Sequence, residues 1–173
     1  LVDVMDKIQK IREIGKSTKE RQQYINVSEV FYVWDVLVTK SDIMECIQVT
    51  GNFAEDKDLR LIIDKVTAVI KEGMASMESI MSNYGIPFPS RPPAAINTTA
   101  KLEHITDRFV YQTLFIGIQS FFHILAGAFM QSTSPIVGKT FKNHLITTME
   151  VHEILIEYGR LKGYLNIPPT YNA

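Results

Sequence analysis

Residues 85–97 read GIPFPSRPPAAIN, and this stretch decides the connectivity of the fold. It holds four prolines, at 87, 89, 92 and 93. Proline fixes φ and lacks a backbone N–H, so a helix cannot run through the segment and an extended path is favoured. At about 3.1 Å per residue the stretch covers roughly 40 Å. A 24-residue helix is about 36 Å long. The connection is therefore long enough to run the length of a helical bundle, so the helices on either side can lie parallel.

On its N-terminal side, Leu59, Ile62, Ile63, Val66, Ile70, Gly73, Met74, Met77, Met81 and Tyr84 recur at helical spacing. Arg60, Asp64, Lys65, Lys71 and Glu78 lie largely outside that stripe, which predicts an amphipathic helix stopped by Gly85 and Pro87. The methionines in it read as core rather than as a cofactor box. Further back, Asn26 followed by Glu29 is a capping-box pattern. It opens a helix whose predicted inner face carries Val27, Val30, Phe31, Trp34, Leu37 and Met44, ending near Gly51. Before it, Val4, Met5, Ile8 and Ile11 suggest a short helical arm, and residues 16–23 read as a polar linker.

On the C-terminal side a third helix is predicted from about 97–99 to Gln131. Ser134 and Pro135 then read as N-cap and first position of a fourth helix, with Gly163 as its stop. The halves resemble each other at a shift of 81 residues: Ile86–Pro87 falls on Ile167–Pro168, Trp34 on Phe115 and Met44 on Leu125. One helical hairpin cannot hide its apolar face, but two packed together can. The expected fold is an all-α, ferritin-like four-helix bundle of two helical hairpins joined by the long proline-rich crossover. Residues 1–25 would be the arm and linker, and 26–173 the bundle domain.

Composition bounds the function. The 173 residues carry a formal net charge of -1, without the basic excess that a nucleic-acid or membrane-surface protein shows. The first residues, LVDVMDKIQKIREIG, lack an apolar signal core, so no secretion signal is expected. The lone Cys46 reads as a small core residue. Phe109 to Met130 has no charged residue and is long enough to span a bilayer, yet Gln112, Gln119 and His123 form a polar stripe that suits packing within a protein. Phe115, Phe121, Phe122 and Phe129 cannot all face one way, and they are the interface candidates for a homodimer or larger assembly.

A ferritin-like di-metal centre needs Glu-x-x-His on two helices, and that pattern does not occur. Glu150 and Glu153 have its spacing, with His152 between them. No catalytic residues, metal or cofactor are therefore expected, and no enzyme activity. Gln119, His123, His152 and Glu72 are the pocket candidates, for a polar site between helices should both histidines point inward. Gly138-Lys139-Thr140 looks like the end of a P-loop but lacks its first glycine and its strand.

His152-Glu153-Ile-Leu-Ile-Glu-Tyr, then Lys162-Gly163-Tyr164, Pro168 and Tyr171-Asn172, resembles the C-terminal motif of spore coat protein F-like proteins. In this chain the proline and the Tyr-Asn pair are separated. The close resemblance covers about 30 residues, and the hairpin pattern extends loosely over 27–173. It implies a structural or interaction protein made in the mother-cell cytoplasm and placed in the spore coat, with other coat proteins as partners. It brings no catalytic residues, and His152 and Tyr164 mark the motif only. The alternative is a ferritin-like metal or small-ligand binder with a non-standard site.

Overall fold

The computed structural model describes residues 2–90 and 105–169, with side chains from residue 4. The described residues form six α-helices and one 3-10 turn. These are α1 (Val2–Glu13), α2 (Thr18–Arg21), the turn Gln22–Tyr24, α3 (Val27–Gly51), α4 (Lys57–Tyr84), α5 (Asp107–Gln131) and α6 (Pro135–Lys162).

Local chemistry sets the helix ends. Asn26 accepts from Glu29 N at 2.8 Å while Glu29 reaches back to Asn26 N at 2.8 Å, completing the capping box of α3. Asp56 caps α4 and Ser134 caps α6, with Pro135 as its first residue. Gly85 and Gly163 end α4 and α6 in the left-handed conformation. The predicted linker is partly helical, because Ser17 and Glu20 form a second capping box over α2. The third long helix starts at Asp107, with Thr106 as its N-cap, later than the spacing predicted. Most of the crossover and the predicted start at 97–99 lie outside the described residues.

Contacts at the two ends fix the helix directions. Asp107 accepts from Glu55 N and Asp56 N at 2.7 and 3.1 Å, so α5 starts beside the start of α4 and the two run parallel. Asn26 donates to Gln131 O, so α3 and α5 are antiparallel. Lys162 meets Asp56 at 2.6 Å, so α6 runs against α4. This is a ferritin-like bundle of two hairpins, α3–α4 and α5–α6.

The duplication is visible in the burial pattern. Val33, Leu37, Lys40, Met44 and Ile47 of α3 match Leu114, Ile118, Phe121, Leu125 and Ala128 of α5 at a shift of 81, and every one of these residues is buried. For α4 and α6 the shift is 78, pairing Leu59, Ile70, Gly73 and Met77 with Val137, Thr148, Val151 and Leu155. By length and composition α5 is the one described helix apolar enough to cross a membrane. In the bundle it is a wall, burying Val110, Tyr111, Leu114, Ile118, Phe121, Leu125 and Ala128.

Three expectations are corrected. The inner face of α3 is rotated: Val27 and Phe31 are 86% and 56% exposed, while Val33, Val36 and Lys40 are buried. An α3 apolar around most of its circumference gives no clear facing signal. Cys46 is exposed rather than core. Phe121 is 1% exposed, so it belongs to the core and not to an interface.

The arm docks in reverse. Its polar side, Asp6, Gln9 and Glu13, is buried, and its apolar side faces out. The start of α6 leaves backbone donors without helical partners, and Gln9 of the arm supplies an acceptor for one of them. Gln9 Oε1 accepts from Ile136 N at 3.1 Å and from Ser134 Oγ at 3.1 Å. Glu13 accepts from Tyr84 OH at 2.9 Å and from Gln9 Nε2 at 2.6 Å. Burial, and then this carboxylate, push the Tyr84 phenol well above its usual range. Glu29, fully buried, accepts from Thr133 N and Ser134 N at 2.9 and 2.7 Å and closes the same end.

Candidate functional site

The predicted pocket residues do not converge inside the bundle. Gln119 Nε2 lies 3.3 Å from His152 Nε2, on the outer groove between α5 and α6. His152 stacks on Phe115 at 5.1 Å and meets the edge of Phe122 at 5.3 Å. Two of the expected interface phenylalanines are thus half-buried partners of this histidine, whereas Phe129 is 44% exposed. His123 is exposed and does not join the pair. Glu72 is exposed and lines a different cavity.

That cavity, of about 220 Å³, opens between α3, α4 and α6. Lys40, which is 3% exposed, is part of its lining. Buried ammonium groups are normally paired, because removing the charge from water costs several kcal/mol. Among the described residues no carboxylate lies within 4.0 Å of Lys40 Nζ and no hydrogen bond reaches it. Its contact is the face of Phe121, 4.6 Å from the ring centroid. Burial lowers the lysine from its usual range to about 8.

Gly73 makes the room. A Cβ there would stand 2.7 Å from Lys40 Cε and Nζ and 3.1 Å from His144 Cε1. His144 enters from α6, and burial, helped by the Lys40 charge, lowers it to about 4. At neutral pH its ring is neutral, with one nitrogen a donor and the other an acceptor. Ser76, Asn143 and Thr147 add polar groups to the wall. Thr140 and Thr148 also line it, but their hydroxyl protons go to Ile136 O and His144 O at 2.9 and 2.8 Å. Neither Lys40 nor His144 was singled out in the sequence. The signal was present, because the 81-residue shift sets Lys40 opposite Phe121.

Among the described residues no group of three or more His, Cys, Asp or Glu could hold a metal ion. Lys139 of the P-loop lookalike sits within α6 and pairs with Asp6 at 2.9 Å. The C-terminal motif has a structural use. Lys162 clasps Asp56 at the start of α4, and this bond holds the Asp56 carboxyl below its usual range. Tyr164 packs on Tyr111 and Tyr158 at 5.8 and 6.1 Å and accepts Gln112 Nε2 on its carbonyl at 2.6 Å. Gly159 lets Tyr111 pack closely on α6, since a Cβ there would run into its hydroxyl.

The family described as "Protein of unknown function (DUF3231)" matches residues 13–173, and the chain belongs to it. No curated protein matches the chain. Among solved structures, the chain is similar to a Bacillus halodurans C-125 protein provisionally named a spore coat protein. The TM-score is 0.78 at 20% identity, over 86% of this chain and 96% of that one. It is also similar to a two-domain Anabaena variabilis ATCC 29413 protein with DJ-1/ThiJ/PfpI-like and ferritin-like domains. There the TM-score is 0.64 at 14% identity, over 84% of this chain and 40% of that one. A DUF305 fragment from Deinococcus radiodurans aligns with TM-score 0.65 at 14% identity, over 79% of this chain and 98% of that one. At these identities the likenesses establish the fold.

Proposed function

We propose that this DUF3231 member is a non-catalytic, self-associating structural protein of the bacterial spore coat, synthesised in the mother-cell cytoplasm. The single structural observation that carries the reading is the outward apolar face of α1. Val4, Ile8 and Ile11 are 57%, 38% and 67% exposed, at i, i+4 and i+7 of a helix whose polar side faces the protein. A helix that spends its polar face inward leaves an apolar stripe for another molecule. The likeness to the Bacillus halodurans protein supports the coat as the compartment. A homodimer or larger homo-oligomer, with other coat proteins as neighbours, is the assembly proposed; nucleic acid and membrane are not among the partners.

Two measurements test this. Sedimentation of the full chain should show a dimer or larger species, and the double substitution Ile8→Asp, Ile11→Asp should shift it toward monomer. Both side chains are exposed, so the substitutions spare the fold. An antibody should find the protein in extracted spore coats of the source bacterium. A monomer at high concentration together with absence from spores would refute the proposal.

A second reading, a small-ligand-binding bundle with a non-standard site, is favoured by one observation: the unpaired Lys40 ammonium beside a polar cavity.

A further inference from the structure

The Lys40 cavity has the features of a site that lacks its counter-charge. We propose that it binds a small monoanionic carboxylate, whose charge meets the Lys40 ammonium and whose oxygens are held by neutral donors of α4 and α6. The inference rests on the second reading above and names its ligand class.

Lys40 is buried to 3% exposure and its Nζ has no anionic partner among the described residues. Phe121 at 4.6 Å offsets part of that cost, since the electron-rich face of an aromatic ring attracts a cation. A bound anion would offset far more. Gly73 keeps the ammonium open to the cavity, because any side chain there would strike Nζ at 2.7 Å. The cavity, about 220 Å³, exceeds what a single water needs, about 10–15 Å³ on the same measure.

The wall sorts ligands by charge. The charged and titratable groups on it are Lys40 from α3, Glu72 from α4 and His144 from α6. His144 is neutral at pH 7 and can donate one ring N–H. Asn143 offers amide protons, and Ser76 and Thr147 offer hydroxyls. Glu72 is exposed at the rim, so a second negative charge on the ligand would meet repulsion there. One positive charge inside and one negative charge at the mouth favour a monoanion over phosphate.

The test uses the full chain, wild type and Lys40→Met, an unbranched replacement of similar volume. Sodium acetate, sodium phosphate and neutral acetamide are titrated against sodium chloride at constant ionic strength, with Tm and calorimetry as readouts. The expected result is a saturable rise in Tm with acetate for wild type, with affinity at least about tenfold weaker in Lys40→Met. Acetate should also raise the Lys40 pKa seen by NMR of the labelled ammonium. An equal acetate response in both proteins overturns the site. A stronger Lys40-dependent response to phosphate overturns the monoanion class. A Lys40-dependent response to acetamide but not acetate overturns the anion while the ligand-binding reading stands. No saturable response to any probe sinks both.

Discussion

Two sets of positions related by the internal duplication share a backbone and carry opposite chemistry. One set is Lys40 of α3, Gly73 of α4 and His144 of α6; the matching shifts give Phe121 of α5, Val151 of α6 and Val66 of α4. The apolar set is packed: Phe121, Val151 and Val66 are 1%, 3% and 1% exposed. The polar set surrounds a cavity. The apolar set shows how the equivalent positions are filled by packed side chains. The polar set gives up that packing for an unpaired charge and open volume, the features on which the proposed ligand site rests.

Four experiments break or sharpen that contrast. The largest effect belongs to Phe121→Ala, which opens a cavity beside Lys40 and removes its aromatic cover. A loss of about 3–5 kcal/mol in urea unfolding is expected, against well under 1 kcal/mol if the ring were a surface contact.

Next is the alkaline limb. Lys40 sits near 8 in the folded chain against an ordinary 10.5. Between those values the unfolded chain binds more protons, so stability should rise with pH across that window. The contribution is about 3 kcal/mol. Subtracting the curve of Lys40→Met isolates it from every other titrating group. A difference that stays flat from pH 8 to 10 would place the lysine in water.

His144→Val makes the layer match its twin at Val66. The folded histidine is held near 4, below its ordinary 6.5, so wild-type stability should fall as pH drops through that window. The variant should lose that slope, by a smaller amount than the lysine limb because the ring is only half-buried. The smallest effect is His123→Ala: an exposed side chain outside both layers should change stability by no more than about 0.5 kcal/mol.

Much of the scaffold was legible in the chain. Asn26 with Glu29, Ser134 with Pro135, and the glycines at 85 and 163 state the helix ends through local chemistry. The stripe of α4 states its facing, because charges occupy its other side. The facing of α3 was not legible, since apolar residues surround it and its buried Lys40 counts as polar in any periodicity. His123 and His152 drew attention as residue types, but only packing reveals that His152 lies on an outer groove between two phenylalanines. The reversed arm was hidden for a related reason. Asp6, Gln9 and Glu13 read as a solvated face until Lys139 and Ile136 of α6 and Tyr84 of α4 present donors for them to satisfy.

The claim at the centre is that Lys40 is kept at the expense of stability. Urea unfolding of wild type and Lys40→Met at pH 7 and pH 10, without added anion, tests it directly. The substitution should stabilise the chain by about 1–3 kcal/mol at pH 7, with the gap closing toward pH 10 as the amine loses its proton. A Lys40→Met chain that is less stable than wild type at pH 7 would contradict the account.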